Sequence, residues 1–192
     1  MADDVVENFR PTSGRIMGVI ALAMVAAVVL IGLLDREQGF PPVVMWAALC
    51  VGVVVWAAML RPRLWVTTSD VVMRNMFSTV WVPLVAVEQV VVRQVVALKA
   101  GDQRFVSPSV GKSWRQTLKS SKEPKPGATQ SYPAFVEERL HQLTEEARAK
   151  AGVKLLSDEQ LALADGVRRS WAWPEIAVLV VTFVGFVVAL II

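Results

Sequence analysis

The sequence predicts a membrane α-helical protein with three transmembrane helices, joined to an α+β cytoplasmic domain. That domain is an antiparallel β-barrel or sheet closed by a C-terminal amphipathic helix. Three observations carry the prediction. Long uncharged apolar runs occur three times, short β-branched segments separated by turn residues fill the middle, and one stretch of helical periodicity follows a basic linker.

The apolar runs come first because the composition demands them. Of 192 residues, 54% are hydrophobic and only 19% charged, whereas soluble domains are nearer a quarter charged. Residues 16–34 (IMGVIALAMVAAVVLIGLL), 43–60 (VVMWAALCVGVVVWAAML) and 176–192 (IAVLVVTFVGFVVALII) carry no charge. At 1.5 Å per residue they reach roughly 25–28 Å, enough to cross a hydrocarbon core of about 30 Å with help from their flanks. Asp35, Arg36 and Glu37 follow the first run where a signal peptide would need small residues, so it reads as an anchor.

Basic residues at the ends of these runs set their direction, because they resist translocation. Arg10 and Arg15 precede the first, Arg61 and Arg63 follow the second, and Arg168 and Arg169 precede the third; the loop 35–42 has one Arg against two acids. The N-terminus and residues 61–170 are therefore expected in the cytoplasm, with Ile192 on the far side. Trp171 and Trp173 suit the membrane interface, Pro174 the first turn of a helix, and Glu175 its positive end.

The middle is as valine-rich as the spans but reads differently. Between Leu64 and Val106 no uncharged run exceeds the 13 residues 75–87, far short of the ~20 a spanning helix needs. Strands are expected at 64–68, 71–75, 78–82, 88–93, 95–100 and 103–106, with turns at Ser69-Asp70 and Gly101-Asp102 and a strand end at Pro83. Residues 111–132 form a polar, basic linker containing Pro124, Pro126 and Gly127. Pro133 opens a helix over 133–151 whose apolar face is Val136, Leu140, Leu143 and Ala147, ended by Gly152. Ser157 and Gln160 make a capping box for a short helix over 158–165. The expected organisation is a cytoplasmic N-terminal segment 1–15, a transmembrane hairpin 16–60, a folded domain 61–152 with the linker 111–132 inserted before its helix, a juxtamembrane segment 153–170, and a third transmembrane helix 171–192.

The residues TTSDVVMRNMFSTVWVPLVAVEQVVV carry a likeness beyond the order of elements. Val71, Met73, Arg74, Asn75, Val82, Pro83, Val87 and Val90 fall on a strand–turn–"v-x-v-R-N"–turn–"V-P-(W)-x-x-V-x-x-V" pattern, and LKAGDQRFVSP supplies the following hairpin. This stretch, roughly residues 62–112, resembles the bacterial pleckstrin-homology-like domain of actinobacterial membrane proteins, with Leu84 where that family often has Trp. The resemblance implies a pleckstrin-homology-like module on the cytoplasmic side of a bacterial plasma membrane, in a family of unknown or scaffolding function, with no catalytic motif.

Catalytic chemistry is hard to assemble from what is present. There is one histidine, His141, among the glutamates of the 133–151 helix, and one cysteine, Cys50, inside the second span. Neither a zinc site nor a histidine-based triad can be built from them. VSPSVGKS ends like a phosphate-binding loop, but Val106 stands where the first glycine is required. An enzyme, a cofactor and a small-molecule substrate are accordingly not expected. Three partner classes remain. A protein, including another copy of this chain, could dock at an open sheet edge or in the groove between sheet and helix. Anionic lipid could be met by the basic residues: 61–170 holds 17 Lys/Arg against 11 Asp/Glu, net +6. The candidate contacts are Arg61, Arg63, Lys112, Arg115, Lys119, Lys122, Lys125, Arg168 and Arg169. Nucleic acid is not expected, because no recognition helix or aromatic–basic interleaving accompanies Trp114.

Overall fold

The computed structural model describes residues 4–12, 14–35, 40–111 and 131–192. In chain order its elements are β1 (Val5–Phe9), α1 (Arg15–Leu34), α2 (Pro42–Val55) running into a π-helical turn (Trp56–Leu60), β2 (Arg63–Thr67), β3 (Asp70–Arg74) and β4 (Ser78–Pro83). A 3₁₀ turn (Leu84–Ala86), β5 (Gln89–Val92), β6 (Val96–Ala100) and β7 (Gln103–Ser107) follow. The chain ends with α3 (Tyr132–Ala151), α4 (Asp158–Leu163), a 3₁₀ turn (Ala164–Gly166), β8 (Arg168–Trp171) and α5 (Trp173–Ile191). These elements form two compact units, one mainly helical and one mainly β.

The helical unit contains Gly14–Arg61, Met76–Ser78 and Trp171–Ile192. Its three helices, Arg15–Leu34, Pro42–Leu60 and Trp173–Ile191, are long and apolar enough to cross a membrane, as the sequence predicts. α2 packs against both α1 and α5. Small residues allow this approach: a Cβ on Gly52 would stand 3.0 Å from Val25, and one on Gly185 would stand 2.5 Å from the Trp46 ring. Pro174 and Glu175 occupy the first turn of α5 as expected.

The β unit carries the antiparallel strands. Among the described residues they divide into a five-stranded sheet, order β1-β2-β3-β4-β8, and a three-stranded sheet, order β5-β6-β7, so these strands make two sheets rather than a closed barrel. All six strands expected between residues 64 and 106 are present, within a residue or two of their expected ends. β4 alternates as a half-buried strand should, with Ser78, Val80 and Val82 buried and Thr79, Trp81 and Pro83 half-buried. At Pro83 the chain leaves the first sheet, and the turn Leu84–Ala86 carries it to the second. Gly101 sits at φ +57° in the β6–β7 turn, a conformation that favours glycine.

One apolar core serves both sheets and α3. Phe9, Leu64, Val66, Met73, Val82, Val90 and Leu98 meet Val136, Leu140 and Leu143 there. The expected apolar face of α3 is thus the observed one. The helix begins at Tyr132 and ends at Gly152, whose φ of +71° is a left-handed cap.

Two strands differ from the expected organisation. The N-terminal segment is not separate: β1 pairs antiparallel with β2, Val5 opposite Thr67 and Phe9 opposite Leu64. Phe9 is 2% exposed. The segment is fixed further by a Glu7–Arg139 ion pair of 2.7 Å, by the Arg10 N–H donating to the Tyr132 hydroxyl at 2.7 Å, and by Thr12 N–H donating to the Ser109 carbonyl. Burial raises the pKa of Tyr132, against a smaller lowering by that amide. At the other end, Arg168–Trp171 is a strand beside β4, not a plain juxtamembrane stretch.

Candidate functional site

The second sheet carries a groove on its outer face. Register places Gln89 opposite Lys99 and Lys99 opposite Arg104, and in the next row Val91 opposite Ala97 and Ala97 opposite Val106. Strand alternation turns these residues outward while Val90, Val92, Val96 and Leu98 enter the core. The outward face forms a groove of about 930 Å³, its floor lined by Val91 and Ala97 and its sides by Arg93, Lys99, Arg104 and Asp102.

Its cations are held differently. The Lys99 ammonium donates to Glu88 Oε2 at 2.7 Å, and Glu88 Oε1 accepts from the Gly101 N–H at 2.8 Å. The hydrogen bond to Glu88, then its charge, raises the Lys99 pKa above the usual 10.5. Arg93 and Arg104 are exposed and have no ion-pair partner among the described residues.

The groove between sheet and helix, by contrast, is filled. α3 occupies it with Val136, Leu140 and Leu143, and polar side chains take the carbonyls beside β5. His141 Nε2 lies 3.1 Å from the Val90 oxygen, which can only accept, so that nitrogen carries the proton. Arg148 donates to the Val87 carbonyl at 3.1 Å. Gln160, fully buried, donates to the carbonyls of Val85 and Val87 at 3.1 and 3.2 Å and accepts from the Leu156 N–H at 2.6 Å. Ser157 accepts from the Gln160 N–H as the capping box requires, but the Gln160 side chain serves the β5 approach instead of completing the box. Covering an edge this way removes the template that unpaired strand groups present.

Of the nine sequence-predicted basic contacts, the four among the described residues do not gather into one site. Lys112, Arg115, Lys119, Lys122 and Lys125 lie outside the described residues. Arg63 is exposed on β2; Arg168 and Arg169 are exposed on β8. With β3 and β4 between them, those strands are roughly 14 Å apart at 4.8 Å per step, too far for one headgroup. Arg168 also pairs with the buried Asp70 at 2.8 Å.

Arg61 is not an exposed cation. In the helical unit the π-helical turn sends its N–H to the Trp56 carbonyl and aims its side chain at Glu175, 2.9 Å away, with the two side chains 5% and 13% exposed. Arg61 Nη1 donates to the Met76 carbonyl at 3.0 Å, and the Ala172 N–H donates to the Phe77 carbonyl at 2.9 Å. The pair therefore locks the end of α2, the start of α5 and the turn 76–78 together. Both residues flank apolar runs in the sequence, but no local pattern pairs them, because they are 114 residues apart.

The phosphate-loop-like stretch is likewise engaged: the Gly111 N–H donates to the Thr12 hydroxyl at 3.0 Å, and a Cβ at Gly111 would overlap the Gln94 carbonyl. Among the described residues no three His, Cys, Asp or Glu side chains are grouped to hold a metal ion. Compared with protein-family models, curated proteins and solved structures, the chain matches none.

Proposed function

We propose that this protein is a non-catalytic integral membrane adaptor, crossing the bilayer three times and presenting a pleckstrin-homology-like module to the cytoplasm for protein docking. One observation carries the reading. β1 precedes the first long apolar helix, β2 to β4 follow the second and β8 precedes the third, yet all are strands of one sheet. Strand neighbours lie about 4.8 Å apart and cannot hydrogen-bond through a hydrocarbon layer of about 30 Å. Two crossings between β1 and β2 return the chain to the side it left. The excess of Arg on that side of the spans supports a cytoplasmic location. Two antiparallel sheets with one amphipathic helix across their core support the pleckstrin-homology likeness, and that likeness alone suggests a bacterial plasma membrane.

The test is crosslinking in native membranes through photoreactive residues at Arg93 and Arg104. We expect at least one protein, another copy included, to be linked. No linked protein from either position overturns the docking reading. A reporter fused after Ile192 should be active only outside the cytoplasm; cytoplasmic activity overturns the topology. A second reading, anionic lipid recognition, is favoured by the exposed Arg63, Arg168 and Arg169. It requires the full chain to co-purify enriched anionic lipid and to lose that enrichment when the three are replaced by Ala.

A further inference from the structure

We propose that this chain associates with further copies of itself head to tail, the acidic outer face of α3 in one copy lying in the cationic groove of the next. The proposal deepens the docking reading above and rests on it.

The groove is a basic-rimmed trough. Arg93, Lys99 and Arg104 outnumber Asp102 around a floor of Val91 and Ala97. Two of its cations have no carboxylate partner among the described residues. α3 presents the matching surface. Phe135, Glu138, Gln142 and Glu145 recur at the 3-4-3 spacing of one helical face, all exposed, with Glu146 beside them. Phe135, 46% exposed, would supply an apolar contact for the floor. Of the basic residues on α3, Arg139 is committed to Glu7 and donates to Gln142 at the edge of this face, Arg148 donates to the Val87 carbonyl, and Lys150 lies one turn beyond Glu146. From Phe135 to Glu145 the face runs about 15 Å at 1.5 Å per residue. The groove, from Gln89 to Arg93 along β5, runs about 13 Å at 3.3 Å per residue. The surfaces match in sign and length.

Their placement decides the kind of assembly. α3 packs on the inner side of β5-β6-β7 through Val136, Leu140 and Leu143, and its acidic face points away from that core. The groove lies on the outer side of the same sheet. A two-fold dimer would need both surfaces on one side of the molecule. On opposite sides they give a heterologous contact, which leaves a groove open at one end and an acidic helix at the other, and so grows into chains.

The test uses the full chain in an uncharged detergent, followed by analytical ultracentrifugation, with circular dichroism confirming that each variant folds. Wild type should form species beyond a dimer that lengthen with concentration and shorten in about 0.5 M salt. R93E/R104E and E138K/E145K should each lower the association constant about tenfold or more. An equimolar mixture of the two variants should regain association, because each reversed surface then meets its complement. A monomeric wild type, a dimer that does not grow, unchanged distributions in either variant, or a mixture that stays dissociated would each overturn the proposal. Loss of binding to phosphatidylglycerol vesicles by R93E/R104E with wild-type self-association retained would overturn it too, assigning the groove to lipid. If self-association fails while photocrosslinks to a different protein persist, the docking reading stands and this inference alone falls.

Discussion

Valine is abundant in both units and is used in opposite ways. In the β unit, Val66, Val71, Val72, Val82, Val90 and Val96 are essentially inaccessible. In the helical unit, Val19, Val178, Val181 and Val184 are each more than half exposed. The same side chain that closes a protein core in one region faces outward in the other, where only a hydrocarbon solvent makes its exposure favourable. What separates the regions is the spacing of interruptions: Asp70, Arg74, Glu88 and Arg93 break the β stretch into strand lengths, while each long helix runs without a charge past its first turn.

That contrast can be broken in a definite order. The largest effect is expected from Phe9→Ala, which opens a cavity where β1 closes the core and should cost about 3–5 kcal/mol, read as a lowered urea midpoint of the β unit. A loss below about 1 kcal/mol would mean that β1 is not part of that core. Arg61→Ala strands the Glu175 carboxylate in a nearly inaccessible site and should cost the helical unit about 3–4 kcal/mol, measured by denaturation in detergent. Replacing both partners by apolar residues of similar length, Arg61→Met with Glu175→Met, should recover most of that loss. Next come two valines of similar exposure, Val181 at 63% and Val5 at 59%. Val181→Lys should disfavour insertion by about 3 kcal/mol, scored by glycosylation mapping, whereas Val5→Lys on the sheet edge should stay within about 0.5 kcal/mol. Equal effects would erase the distinction between the two solvents. The smallest effect concerns pH. The Lys99 pKa is raised by Glu88, so the pair contributes fully below the ordinary lysine value of 10.5 and less as pH rises through the raised value. Wild type and Glu88→Gln should therefore differ by a constant amount through neutral pH and converge only above that range.

Much of the fold was legible because its signals are local. Uncharged length marked the three long helices, alternation and turn residues marked β2 to β7, and the spacing of Val136, Leu140 and Leu143 marked the buried face of α3. β1 and β8 were not legible. VVENF and RRSW are too short and too irregular to announce strands, and both owe that state to partners more than fifty residues away. The groove was half legible. The polar and apolar residues of QVVVR and ALKA already alternate, but only the β6–β7 register brings Lys99 beside Arg104.

By itself, then, the sequence determined the long helices, the six central strands β2 to β7 and which helices are apolar enough for a bilayer, since length, period and charge spacing are properties of neighbours in the chain. Only the tertiary structure decided that the N-terminal segment belongs to a sheet, that Arg61 is buried against Glu175, and that a cationic trough and an acidic helix face lie on opposite sides of one sheet. Each of those depends on hydrogen bonds, ion pairs and burial between residues that no local pattern connects.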